Sequence, residues 1–270
     1  MIPRLLIVAG SDSGGGAGIQ ADIKTATAFG VYAMTAITAV TVQNTRGVSG
    51  WQPVATDVVE GQIAACLSDI GADAIKTGML GDAAMVSAVA SSLRAQAAGI
   101  PMVLDPVMVA KGGAKLLADE AVNAIRNELL PLAMLATPNL PECEAQIGFA
   151  PSTDEEARDA ARKFRDLGAR HVLFKGGHAA GAVVRDVLAD GETGELVVLE
   201  APRMETRHTH GTGCTLASAV AAGLAQGLSL RDSVIRARAY VRAAIAAAPG
   251  YGAGHGPLDH AVTCSPDVLR

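Results

Sequence analysis

The chain has 270 residues, half of them hydrophobic, which is enough material for one large α/β domain or two smaller ones. A formal net charge of −5 and a pI near 5.7 argue against a nucleic-acid or anionic-membrane surface, and 3% aromatics leave little for base stacking. The apolar run after Met1 is too short for a signal sequence or a membrane span. Cys66, Cys143, Cys214 and Cys264 have no metal-type spacing and no close pairing, as expected of reduced thiols in a cytoplasmic protein.

Leu5 to Ala9 reads as a strand buried on both faces, running into a loop from Gly10 to Gly18, with a helical pattern from near Ile19. Strand, glycine loop and helix make a nucleotide-binding arrangement, but neither a Gly-x-Gly-x-x-Gly spacing nor a Walker A lysine is present. A β-branched run from Ala36 to Val42 ends at Gln43. Asp57 to Ile70 reads as an amphipathic helix, Ala74 to Thr77 as a strand, and Gly78 to Gly81 as a turn. A helix over about Asp82–Ala98 leads to a strand at Met102–Leu104, and Asp105-Pro106-Val107 follow. Another helix, about Asp119–Leu130, precedes a strand at Met134–Ala136 and a turn from Thr137 to Glu142. Thr153 to Leu167 is a charged helix, and His171 to Phe174 is a strand ending at Lys175. Two strand-like runs between Val183 and Ala201 flank a hairpin signal at Asp190–Gly194. Two helices, roughly Thr212–Gln226 and Leu230–Ala247, complete the pattern. Strands alternating with helices predict a mostly parallel central sheet with helices on both faces, in one domain over residues 1–270.

Gly211 and Gly213 make a tight turn opening the Ala-rich helix that starts at Thr212. The free N–H groups and dipole of a helix start bind anions, commonly phosphate. Cys214 falls in the first turn, where the dipole is expected to lower its thiol pKa and make it a proton acceptor; an inert core cysteine is the alternative. Asp12, Gln43, Lys76, Asp105, Asn139, Glu142 and Lys175 all fall near the carboxyl ends of predicted strands, where open parallel sheets bind ligands. Asp105 and Glu142 suit Mg²⁺, or else a helix cap and a first-turn dipole partner. Lys175 fits a phosphate-neutralising role, or is a surface lysine before a Gly-Gly turn. The Gln43 amide can accept from an exocyclic amine while donating to a ring nitrogen; otherwise it satisfies turn backbone.

Residues 10–22, Val42–Val48, Lys76–Leu80, Asp105–Met108, Thr137–Glu142, Lys175–His178 and Thr209–Thr215 occur in an order that resembles the bacterial hydroxymethylpyrimidine/phosphomethylpyrimidine kinases of the ribokinase-like superfamily. The resemblance spans nearly the whole chain. It implies a single-domain ribokinase-like fold using ATP and Mg²⁺, and phosphorylation of the thiamine aminopyrimidine twice in succession, in a homodimer. It also implies that Gln43 holds the aminopyrimidine edge and that Gly10, Met79 and Val107 line its pocket. Asp105 and Glu142 would serve the metal, Lys175 and Thr212 the ATP phosphates, and Gly211 to Gly213 the anion hole. Cys214 takes the catalytic-base position, where sugar kinases of the superfamily mostly carry Asp. Two alternatives stay open: a vitamin B6 kinase on the same fold, and a non-catalytic pyrimidine-binding protein.

Overall fold

The structure is a computed structural model that describes residues 1–108, 119–178 and 181–263, so Cys264 lies outside the described residues. Its centre is β1 (Arg4–Ser11), buried from Leu5 to Gly10. Leu6 and Val8 point into one apolar core, and Leu5, Ile7 and Ala9 into the other, as the two-residue period of a strand dictates. A strand covered on both faces must be apolar throughout, which explains the unbroken run in the sequence.

From β1 the chain passes through α1 (Gly18–Ala28) to β2 (Tyr32–Asn44), then β3 (Gly47–Pro53), α2 (Thr56–Ala65), β4 (Ala74–Thr77), α3 (Ala83–Gln96) and β5 (Met102–Leu104). After α4 (Asp119–Ala124) come β6 (Leu135–Ala136), α5 (Leu140–Ile147), α6 (Asp154–Asp166) and β7 (His171–Phe174). The hairpin β8 (Val183–Asp190) and β9 (Leu196–Pro202), then α7 (Thr212–Ala225) and α8 (Leu230–Ala246), end the fold. Among the described residues, nine strands form one sheet in the order β3-β2-β1-β4-β5-β6-β7-β8-β9. β2, β1, β4, β5, β6 and β7 run parallel, while β3, β8 and β9 pair antiparallel at the two edges. One face is covered by α2, α3, α4 and α6, the other by α1, α7 and α8.

Several predicted elements need correcting. The run placed at Ala36–Val42 belongs to a strand from Tyr32 to Asn44. Past Val40 it leaves β1 and continues with β3 as a two-stranded ribbon, its side chains alternating between exposed and covered. β3 itself carries Gly47, Gly50 and Pro53, which obscure a strand pattern. The predicted helix Asp57–Ile70 changes to π geometry from Cys66, and Asp119–Leu130 does so from Ile125. The stretch read as a turn through Glu142 opens α5. Asn139 accepts from the Glu142 N–H, Glu142 accepts from the Asn139 N–H, and Gly148 ends the helix left-handed.

β1 is the switch point of the sheet. The chain leaves it towards β2 on one side and returns to β4 on the other, which opens a crevice at their carboxyl ends. Across that crevice the Gly10 N–H donates to the Met79 carbonyl at 3.0 Å. Among the described residues, no helix is long and apolar enough to cross a membrane.

Candidate active site

A cleft of about 1150 Å³ runs along the carboxyl edge of the sheet, more than one small ligand needs. Gly10, Gln43, Met79, Asp105, Val107, Glu142, Lys175, Gly211, Thr212, Gly213 and Cys214 all line it. The sheet brings these residues together from positions up to 204 apart in sequence (214 − 10).

At the centre stands the start of α7. Gly211 is left-handed (φ 81°), and a Cβ there would overlap the Gly16 carbonyl, so no other residue fits this turn. A Cβ on Gly213 would lie 3.4 Å from Lys175 Nζ and 3.6 Å from Asp105 Oδ2. The helix start, the lysine and the carboxylate therefore share one small space. Lys175 Nζ donates to Asp105 Oδ1 at 2.8 Å and stands 3.7 Å from Glu142 Oε2. Thr137 Oγ1 donates to Asp105 Oδ1 at 3.2 Å. Burial raises the Glu142 pKa, Lys175 works against the rise, and Asp105 adds to it. For Lys175, the two carboxylates outweigh burial and push its pKa up.

Among the described residues no group of three His, Cys, Asp or Glu could cage a metal. The pair Asp105 and Glu142 nonetheless fits Mg²⁺, which is commonly held by one or two carboxylates with substrate phosphates and water supplying the rest.

Cys214 is half-buried, and its thiol departs from the sequence expectation. Burial pushes its pKa up to about 11, and the nearby Lys76 charge only partly offsets this. Desolvation of the thiolate exceeds the help of Lys76 and of the Gly18 backbone, so Cys214 rests as a thiol at neutral pH. Lys76 lines the cleft at the end of its strand but is not a surface group. It is fully buried and paired with Asp22 at 2.8 Å, and Asp22 also accepts from Ser218 Oγ at 2.7 Å. Sequence reasoning gave Asp22 no role. Its signal was available: a lysine inside the apolar strand Ala-Ile-Lys-Thr requires a buried counter-charge.

The other end of the cleft is organised by Asp12. Its carboxylate accepts from the N–H groups of Gly14, Gly16 and Ala17 and lies 2.8 Å from His210 Nε2. Burial opposes the charge, but the His210 contact and the backbone donors outweigh it and hold the pKa below the usual carboxylate range. Gln43 is fixed by its backbone, which exchanges two 2.8 Å hydrogen bonds with Ser13 Oγ. One end of its side-chain amide stands 3.2 Å from His210 Nε2, the other 3.3 Å from Thr41 Oγ1. His210 and Thr41 had no assigned role in the sequence. Only their places, beside the glycine turn and two residues before Gln43, hinted at one.

The segment after α8 ties these parts to one another. The His210 N–H donates to the Gly256 carbonyl at 3.1 Å, and the His255 N–H to the Thr45 carbonyl at 2.7 Å, between β2 and β3. His260 Nε2 is 2.9 Å from Thr215 Oγ1, whose proton goes to the Gly211 carbonyl at 2.8 Å. Tyr240 Oη donates to the His260 carbonyl at 2.8 Å.

The family model described as phosphomethylpyrimidine kinase matches residues 12–259. A hydroxymethylpyrimidine/phosphomethylpyrimidine kinase of Streptomyces coelicolor is 50% identical over 258 residues, covering 96% of this chain and 94% of that protein. The thiamine biosynthesis bifunctional protein ThiED of Geobacter sulfurreducens is also 50% identical, over 256 residues; the match takes in 95% of this chain but only 52% of that longer protein. Among solved structures, the ADP complex of Bacillus subtilis pyridoxal kinase superposes with a TM-score of 0.89 at 37% identity, covering 98% of this chain and 100% of that one. A matched region of this extent, on a ribokinase-like sheet with its glycine turn at the helix start, means that the chain belongs to the phosphomethylpyrimidine kinase family.

Proposed function

We propose that this chain transfers the γ-phosphoryl group of ATP to the hydroxymethyl group of 4-amino-5-hydroxymethyl-2-methylpyrimidine, then phosphorylates the monophosphate to the diphosphate used for thiamine. One observation carries the reading: a single cleft holds an amide suited to an aminopyrimidine edge, Gln43, and a helix start suited to a phosphoryl group, Gly211–Gly213. Gly10, Met79 and Val107 wall the ring. The N–H groups of the first turn of α7, with Thr212, face the phosphoryl oxygens, and Lys175 adds a positive charge beside them. Asp105 and Glu142 would hold Mg²⁺, which would supply positive charge to neutralise the phosphates.

Cys214 takes the hydroxyl proton in its thiolate form, and Lys76 favours that form. Phosphoryl transfer passes through a loose transition state, so positioning and charge supply most of the rate and the base adds to it. The thiols fit a cytoplasmic protein, and the family resemblance fits a homodimer.

A pyridoxal kinase is the second reading, favoured by the likeness to the Bacillus subtilis enzyme. A coupled assay of ADP release with the hydroxymethylpyrimidine, its monophosphate and pyridoxal separates the two. The proposal expects both pyrimidines to turn over with a higher kcat/KM than pyridoxal. Faster turnover of pyridoxal would select the second reading, and no turnover of any compound would leave a binding protein.

A further inference from the structure

The two ends of a terminal amide are alike in shape, and the protons around them decide which is oxygen and which is nitrogen. At Gln43 both neighbours can be counted. His210 Nε2 lies 2.8 Å from Asp12 Oδ2, a carboxylate that already accepts from Gly14, Gly16 and Ala17. A lone pair facing that carboxylate would be repelled, so His210 Nε2 carries its proton. An amide nitrogen 3.2 Å away would then set N–H against N–H; an amide oxygen there takes the weaker share of that one proton, most of which goes to Asp12. Thr41 has one hydroxyl proton, which goes to the Ser11 carbonyl at 2.9 Å rather than to the amide at 3.3 Å. Thr41 Oγ1 is therefore an acceptor for the amide, and an amide nitrogen belongs on its side. Both counts, made at opposite ends of the group, give the same direction.

We infer that His210, held by Asp12, and Thr41, held by Ser11, fix the direction of the Gln43 amide and thereby select the order of donor and acceptor on the substrate ring. They are positioning residues that act through Gln43, and the inference rests on Gln43 reading the ring. With its oxygen on the His210 side, Gln43 keeps one lone pair there and one N–H on the Thr41 side for a ligand. A 4-aminopyrimidine matches when its amine faces the oxygen and N3 faces the nitrogen. The ring order N3, C4, C5 then carries the C5 hydroxymethyl further to the His210 side. His210 immediately precedes Gly211, where the turn leading to Cys214 begins. The opposite amide direction would carry the hydroxymethyl to the Thr41 side. Backbone bonds to Ser13 leave end-over-end reversal of the amide as the simple way to change the order.

The test uses the 4-oxo analogue of the hydroxymethylpyrimidine, which presents an acceptor at C4 and a donor at N3. It needs the amide reversed, with its hydroxymethyl in the same place. The quantity read is the ratio of kcat/KM for the amino compound to that for the oxo compound, in which a general loss of activity cancels. Removing one orienting bond by His210→Ala or by the near-isosteric Thr41→Val is expected to lower the ratio about 2- to 10-fold. Gln43→Leu is expected to bring it close to one. An unchanged ratio in both His210→Ala and Thr41→Val, with a collapsed ratio in Gln43→Leu, would overturn the orienting role and leave Gln43 as the ring contact. A wild-type ratio in Gln43→Leu would remove both.

Discussion

Lys76 Nζ and Asp22 Oδ2 stand 2.8 Å apart with neither side chain exposed, one helical turn along α7 from Cys214 through the Ser218 contact to Asp22. Two charges so deep in an apolar sheet are stable only together. Removing one by Lys76→Met or Asp22→Asn is expected to cost about 3–5 kcal/mol, because the other is left uncompensated. The double variant should lose less than the sum of the two. Urea unfolding of the three variants measures this, and additive losses would mean that the pair is not energetically coupled.

The position of Cys214 next to that pair gives a pH signature. Its pKa is pushed up to about 11, so the thiolate fraction rises about tenfold per pH unit between about pH 7 and pH 9. The kcat of the wild type should climb over that range. Cys214→Ala should lie about 10²- to 10⁴-fold lower and be flat in the same window. A variant with near wild-type kcat would reject Cys214 as the proton acceptor.

Asp105→Asn and Glu142→Gln keep shape and remove charge at the two carboxylates beside Lys175. Each should raise the Mg²⁺ concentration that gives half-maximal rate, by roughly tenfold per 1.4 kcal/mol of lost ion binding. Initial rates over a Mg²⁺ series check it. Overlapping curves for wild type and both variants would dismiss these residues as the metal's carboxylates.

His260 is the acid-sensitive fastener of the helix start. Burial lowers its pKa to about 4, with Lys24 adding to the fall and Asp259 opposing it. The unfolded chain, titrating near about 6.5, binds the proton first. The stabilising contribution of neutral His260 is therefore complete above about pH 6.5 and is lost as pH falls towards 4, up to about 3 kcal/mol in all. His260→Gln keeps a donor for Thr215 without titrating. Denaturant midpoints between about pH 7 and pH 4 should fall less steeply in that variant; parallel slopes would exclude His260.

The central layer could be read from sequence because burial on both faces leaves a plain mark. β4, β5 and β7 were predicted at their observed limits, and the hairpin of β8 and β9 announced itself through Asp190–Gly194. β3 and α5 escaped because each begins or ends on proline and glycine, whose local meaning was a turn. In the site, residues that line the cleft were legible from their place at strand ends. The residues that hold them were not. Asp22, His210 and Thr41 act on partners 54, 167 and 2 positions away, and nothing local in the chain displays the two long-range pairings. The raised thiol pKa of Cys214 was missed for a related reason: the helix start is visible in sequence, whereas the depth at which it lies is not.

The bonds from Gly256, His255 and His260 to His210, Thr45 and Thr215 also give the chain a timetable. The strands β1 to β9 are translated before these residues, so the sheet can assemble on the ribosome while the glycine turn still lacks its fasteners. A nascent chain that has exposed α8 but not residue 260 would have the architecture of the enzyme and an unfinished glycine turn. The turn at Gly211 would then be held in its final form only after residue 260 has cleared the exit tunnel.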